Sequence, residues 1–280
     1  KLAADLNLNP TLYLPHLMKA RTEALALGER DGWKTRRLGD IAEVFNGPRF
    51  KRPYADKGVT SGDTIRRYLT GNAVTQWRRE NVKYLDLAKA KPVQLRMIDK
   101  LYLRRGTILI TDSGTVGRVV YATADLDGAV GTNNLIRVVI EDEALRGYVF
   151  QFLQSHMGQA QLRRNIYGGI VDHIEPPHVA DVLVAVPDDR AALEAVGLPV
   201  IRAMEAQERA REHEAMSELR LGALLETGAL PSEQAAKFAA LVESWKANPL
   251  SKDETKLLDM AADSRAGPTR CRRDPRRAGT

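Results

Sequence analysis

One cysteine, Cys271, stands in a chain of 280 residues. A lone thiol makes no internal disulfide and no cysteine-based zinc cage, which excludes a disulfide-stapled secreted fold. No apolar run reaches the roughly 18 to 20 residues needed to cross a bilayer, so no membrane partner is expected. Residues 1–32 lack the charged-then-apolar layout of a secretory signal, and a cytoplasmic location is expected. Aromatics are scarce at 6%. The five histidines, His16, His156, His173, His178 and His213, show no metal-ligand spacing, and no metal is expected. There is no Walker loop with its Lys-Ser/Thr, no GxGxxG opening a helix and no GxSxG. Asp112-Ser113-Gly114 lies between two β-rich runs and reads as a hairpin turn, not a nucleophile. Asp125, Asp127 and the run 141–143 read as solvated loop charge. No catalytic residue is expected, and the chain reads as a binder.

What is present is positive charge, unevenly spread. Lys and Arg number 42 against 36 Asp and Glu, a net charge of +6. Residues 33–110 hold 18 basic and 7 acidic side chains, a local +11, while residues 111–190 and 191–230 are net acidic. A polyanion suits such a segment, because every phosphate neutralised releases condensed counterions. Hydrophobic residues make up 44%, enough for one large or two modest domains with real cores.

The patterning points to a mixed α/β fold. A helix is expected after Pro15 and ending at Gly28. Trp33 to Phe45 reads as extended, and a turn-rich basic stretch runs from Arg49 to Asn81. Residues 108–110, 116–121 and 134–140 read as strands. Helical spacing returns over 144–164, and Gly168-Gly169 breaks it. Residues 170–174 and 182–186 read as short strands ending at Pro187. Beyond them a long charged helix is expected, with Pro199 in its first turn and Glu208 and Arg211 interrupting its apolar seam. The expected division is an N-terminal helical segment (1–32), a largely β domain with a packed helix (33–188), a long spacer helix (189–228), C-terminal helices (229–262) and a basic disordered tail (263–280).

Candidate contacts come from basic side chains beside aromatic and amide groups. Residues 46–54 interleave Arg49, Lys51 and Arg52 with Phe50 and Tyr54. Residues 66–84 hold Arg66, Arg67, Asn72, Gln76, Trp77, Arg78 and Arg79. Arg and Lys suit phosphates, and Arg, Asn and Gln can pair with base edges. The same aromatics also serve as core residues in any fold, and composition does not separate the two roles.

The segments 33–47, 68–74, 104–122 (RRGTILITDSGTVGRVVYA), 131–140 (GTNNLIRVVI) and 148–187 occur in an order that resembles the target recognition domain of Type I restriction–modification DNA specificity subunits. The resemblance covers residues 33–187 well, 188–228 moderately and the last 50 hardly. It implies a domain that reads one half of a split target in double-stranded DNA, followed by a helix that sets the distance to a second domain. It also implies a DNA methyltransferase partner, which would use S-adenosylmethionine, with a restriction or translocase subunit beside it and no cofactor in this chain. Such subunits carry two recognition domains. This chain has room for one, which suggests a half-subunit that dimerises through the helix, or a fragment. By analogy with the family's DNA-facing loops, the resemblance adds Thr111, Ser113, Thr115, Thr132, Asn133, Asn134, Tyr167, Gly168 and Gly169 to the candidate DNA contacts. Two other readings remain open: the recognition portion of a single-chain methyltransferase or restriction enzyme, and an assembly scaffold that does not bind DNA.

Overall fold

The computed structural model describes residues 14–79, 82–164, 166 and 172–227. The chain divides into two compact units, Lys1–Arg211 and Glu212–Thr280. In chain order the elements are α1 (Pro15–Gly28), β1 (Trp33–Arg37), α2 (Leu38–Ile41), β2 (Glu43–Asn46), β3 (Ile65–Leu69), α3 (Gly71–Thr75), β4 (Lys83–Asp86), α4 (Pro92–Asp99), β5 (Ile108–Thr111), β6 (Val119–Tyr121), β7 (Val130–Gly131), β8 (Leu135–Val139), α5 (Glu143–Gln154), α6 (His156–Arg164), α7 (Pro176–Ala180), β9 (Leu183–Pro187) and α8 (Arg190–Thr227). The fold is mixed α/β with a long helix at its end. The expected elements 232–247 and 251–262 and the basic tail lie outside the described residues.

Among the described residues three sheets organise the first unit. The central one, in the order β2-β8-β5-β6, is antiparallel throughout. All four residues of β5 are buried, which explains its uninterrupted apolar run, since a strand covered on both faces has no polar alternation. A second sheet, β4-β3-β7, pairs β3 with β7 in parallel. Leu69, Leu103, Leu109, Leu126 and Leu135 form one core cluster, and Tyr68, Leu85, Ile98, Leu101 and Val130 a second. The third sheet pairs β1 with β9, so the residues that open the domain meet those that close it. The first helix packs on this pair at the fully buried Ala24, whose carbonyl accepts from Thr35 Oγ1 at 2.7 Å, and on α6 through Ala20, which clusters with Leu17 and Ala160.

Three expectations are corrected. The helix expected over 144–164 is two helices, because Ser155 leaves helical geometry, donates its hydroxyl to Phe152 O at 2.6 Å and accepts the Gly158 N–H at 3.3 Å. That is the work of an N-cap serine, which opens α6 as it closes α5. The long helix starts at Arg190, so Pro199 lies inside it, not in its first turn. Lacking an N–H, Pro199 leaves the Ala195 carbonyl without its helical partner. The turn-rich stretch from Arg49 also holds β3 and α3, whose short apolar content the many charges obscured. Of the expected strand 170–174, the described part makes one bridge, His173 to Ser113.

Candidate nucleic-acid interface

The register of the central sheet decides which loops meet. Asn46 pairs with Ile136, and Thr111 with Leu135, so the exits of β2 and β5 and the start of β8 share one end. Parallel β3 and β7 leave their sheet on one side, which brings Thr70–Asn72 next to Thr132–Asn134, and Thr132 N–H donates to Leu69 O at 2.9 Å. Gly71 joins this group to the hairpin, since a Cβ on it would stand 3.2 Å from Thr111 Cγ2. Arg49, Asn72, Thr111, Ser113, Thr115, Thr132, Asn133 and Asn134 therefore gather at one end of the central sheet, from four separate loops.

Hydrogen bonds stiffen that end. Asn134 Nδ2 donates to Ser113 Oγ at 2.6 Å, and Asn133 Nδ2 donates to Asn134 Oδ1 at 2.7 Å. Thr111 is buried; its hydroxyl donates to Thr115 O and accepts the Arg118 N–H at 3.1 Å. Gly114 and Gly117 carry φ of 74° and 80°, values open to glycine, which lets the 112–118 turn reverse tightly. Thr115 is exposed, whereas Thr132 and Asn133 are buried and support the loops from beneath. Asp112 opens this turn. Burial pushes its carboxyl pKa up, against a hydrogen bond from Ser113 and the fields of His173 and Arg49. Its Oδ1 is buried with no hydrogen-bond partner among the described residues.

A second group lies along β3. The segment 47–53 is seated on α4 and its neighbour Leu101: a Cβ on Gly47 would meet Leu101 Cδ2 at 2.1 Å, and Gln94 donates to Lys51 O. This seat leaves Arg49, Lys51, Arg52 and Tyr54 exposed. Arg52 Nε donates to Tyr68 OH at 2.6 Å, and Lys83 stands 5.5 Å from the Tyr54 ring centre. Arg66 and Tyr68 are two residues apart and share one face of the strand, with Arg66 donating to Asp63 O and Ile65 O.

Arg67 falls on the opposite face, and there the charges point inward. Its guanidinium donates to Asp125 O, and Arg79 pairs with the Asp125 carboxylate. The Arg79 side chain is only 10% exposed. Burial, together with the like charges of Arg211 and Arg67, pushes its pKa down to about 9, while Glu208 acts the other way. Trp77 takes the Arg211 guanidinium over its ring at 5.6 Å. Gln76 is half-buried and Arg78 exposed. Tyr167, Gly168 and Gly169 lie outside the described residues.

Asp125 and Glu208 belong to this cluster, although from the sequence Asp125 reads as solvated charge and Glu208 as a break in a helical seam. The signal was there in the second case, for an acid on a buried stripe is placed there for a partner. Among the described residues no group of three His, Cys, Asp or Glu could hold a metal ion, and no helix is long and apolar enough to cross a membrane.

Residues 30–172, which contain every loop described above as far as the Ser113–His173 bridge, match the Type I restriction modification DNA specificity domain. The chain belongs to this family. No match was found among curated proteins. Solved structures similar to this specificity domain and its helix include the Type I restriction–modification S subunit from M. genitalium, with 14% identity and a TM-score of 0.47, covering 79% of this chain and 50% of that one. The HsdS subunit from Thermoanaerobacter tengcongensis has 16% identity and a TM-score of 0.41, with 70% and 47% covered. The type IIG restriction endonuclease BpuSI has 11% identity and a TM-score of 0.47, with 68% and 28% covered. The chain spans about half the length of the two S subunits it resembles.

Proposed function

We propose that this chain reads a short sequence in double-stranded DNA, as the specificity subunit or half-subunit of a Type I-like restriction–modification system. The observation that carries the reading is a coincidence of place: the family's residues, 30–172, supply the four loops that converge at one end of the central sheet, and exposed Arg49 sits among them with Lys51 and Arg52 beside it. Arg49, Lys51 and Arg52 would meet phosphates, which position a duplex without reading it. Asn72 and Asn134 carry amides of the kind that pair with adenine edges, and Thr115 and Ser113 carry small hydroxyls. The rigid hydrogen-bonded turn beneath them supports readout, since a reading group must hold its place when DNA arrives.

The chain would carry out no chemistry itself. It would direct a partner methyltransferase, using S-adenosylmethionine, and a restriction or translocase subunit to its target in the cytoplasm. The helix α8 would set the separation from a second recognition domain, supplied by another copy or by a longer chain. The test is selection from a randomised duplex library by the purified chain, alone and with its methyltransferase. A specific motif should be enriched, and affinity for it should fall by orders of magnitude between 50 and 200 mM salt if about six phosphates are neutralised. Absence of any enriched motif at every salt concentration, in both preparations, rules the proposal out.

A further inference from the structure

A buried ionic cluster joins α8 to the loop that carries Gln76, Trp77 and Arg78. Glu208 is 7% exposed. One of its oxygens accepts the Ala124 N–H at 3.2 Å and the other the Asp125 N–H, so it closes the start of the 3₁₀ turn at Ala124–Leu126. Asp125 in turn accepts from Thr123 Oγ1 at 2.7 Å, pairs with Arg79 and lies 3.9 Å from Arg211. Arg211 reaches Thr123 Oγ1 at 3.5 Å and covers the ring of Trp77. Three residues before Glu208, Glu205 pairs with Arg105. The loop 76–79 is thus attached to the helix directly at Trp77 and, through Asp125, at Arg79, the residues on either side of Arg78.

Charge explains why this contact holds one geometry. Arg67, Arg79 and Arg211 surround two carboxylates, and each carboxylate also takes up donors that point in fixed directions. A buried charge that loses its partner is costly, so the pairing resists sliding in a way that an apolar seam does not. Apolar packing tolerates small shifts along a helix; a carboxylate across two adjacent N–H groups does not.

We propose that Glu208 and Asp125 are positioning residues for recognition: they fix loop 76–79 to α8, so that the direction of the helix and the placement of Gln76 and Arg78 are set together, without either acid touching DNA. The coupling itself is independent of the DNA reading, and only its consequence for affinity rests on that reading.

The experiment has two arms, both on the full chain. In a Cys271→Ser background, spin labels at Arg78→Cys and Val196→Cys, both exposed positions, report the distance between loop 76–79 and α8 by pulsed electron resonance. Glu208→Ala should broaden that distribution at least twofold, with Glu208→Gln, which keeps one accepting oxygen, in between. In the second arm, on a duplex enriched by the wild-type chain, Glu208→Ala should bind about tenfold more weakly with an unchanged salt slope, because no phosphate contact is lost. If Glu208→Ala does not fold, Arg211→Lys takes its place, and losing the flat guanidinium over Trp77 should weaken binding about threefold. A distance distribution as narrow as wild type, or a reduced salt slope, overturns the proposal. If no duplex is ever enriched, the DNA reading fails while the distance measurement still decides the coupling.

Discussion

Gly147 on α5 and Gly197 on α8 meet backbone to backbone: a Cβ on Gly147 would lie 2.0 Å from the Gly197 carbonyl oxygen. The reverse contact is as close, with a Cβ on Gly197 falling 1.9 Å from Ala144 O. Neither neighbour can yield, since both are main chain. Gly147→Ala must push the helices apart, and overpacking of this kind costs on the order of 1–3 kcal/mol. Urea unfolding should show a lower midpoint with an unchanged m-value. Gly197→Ala should do the same, and the double variant should cost less than the sum, because either methyl alone already opens the crossing.

Gln161 gives a second prediction, about how the domain closes. Its side-chain amide donates to Leu183 O at 2.9 Å and accepts the Leu183 N–H at 2.8 Å, so a side chain on α6 imitates a neighbouring strand along β9. Gln161 is 2% exposed, and water cannot replace it. Gln161→Leu strands a donor and an acceptor, each worth roughly 1–3 kcal/mol when buried and unmet. The expected loss is about 3 kcal/mol or more. Hydrogen exchange at the Leu183 amide should accelerate more than at β5.

The strand β9 and the β5–β6 hairpin were legible because each rests on a local pattern, an apolar run bounded by turn residues, whereas the pairing of β9 with the distant β1 was not. The family's ordered motifs pick out the loops one by one, but their meeting at one end follows from the strand register, which no single motif carries. The Gly147–Gly197 crossing was not legible, because a glycine that permits close approach reads the same as one that only turns the chain. Arg79 shows the limit most clearly. In the sequence it stands beside Arg78 as one more basic residue, yet the two differ in fate, because what buries Arg79 is Asp125, 46 positions away. Charge counts along a chain cannot tell a surface cation from one folded against a carboxylate of a distant loop.

Asp112 makes the protein's stability depend on pH in a definite direction. Burial raises its folded pKa above the ordinary value, so the native state holds its proton to higher pH than the unfolded chain does. The stability tied to this proton is complete below the unfolded pKa and is lost as pH rises through the raised folded value. At neutral pH, above the unfolded pKa, Asp112 is therefore a net cost to folding. Asp112→Asn should be more stable than wild type at pH 7, and the gap should narrow as pH falls toward 4. Unfolding midpoints at pH 7, 5 and 4 check this; parallel curves for the two proteins would contradict it.

The two classes of basic side chain can be separated by one pair of substitutions. Lys51 and Arg52 stand exposed on a segment held by its own backbone, so Lys51→Ala should leave the unfolding midpoint within about 0.5 kcal/mol of wild type. If Lys51 meets a phosphate, the same change should lower the slope of log K against log salt by about 1 and weaken all duplexes alike. Arg79→Ala should behave in the opposite way. It removes the cation against which Asp125 is held, and breaking a buried pair from one side costs about 3–5 kcal/mol. Affinity per folded molecule would then change through the displaced loop, with the salt slope kept. Should Arg79→Ala fold normally and lose salt dependence instead, Arg79 would belong on the DNA-facing surface after all, and the inward cluster would have to be redrawn around Asp125 and Arg211 alone.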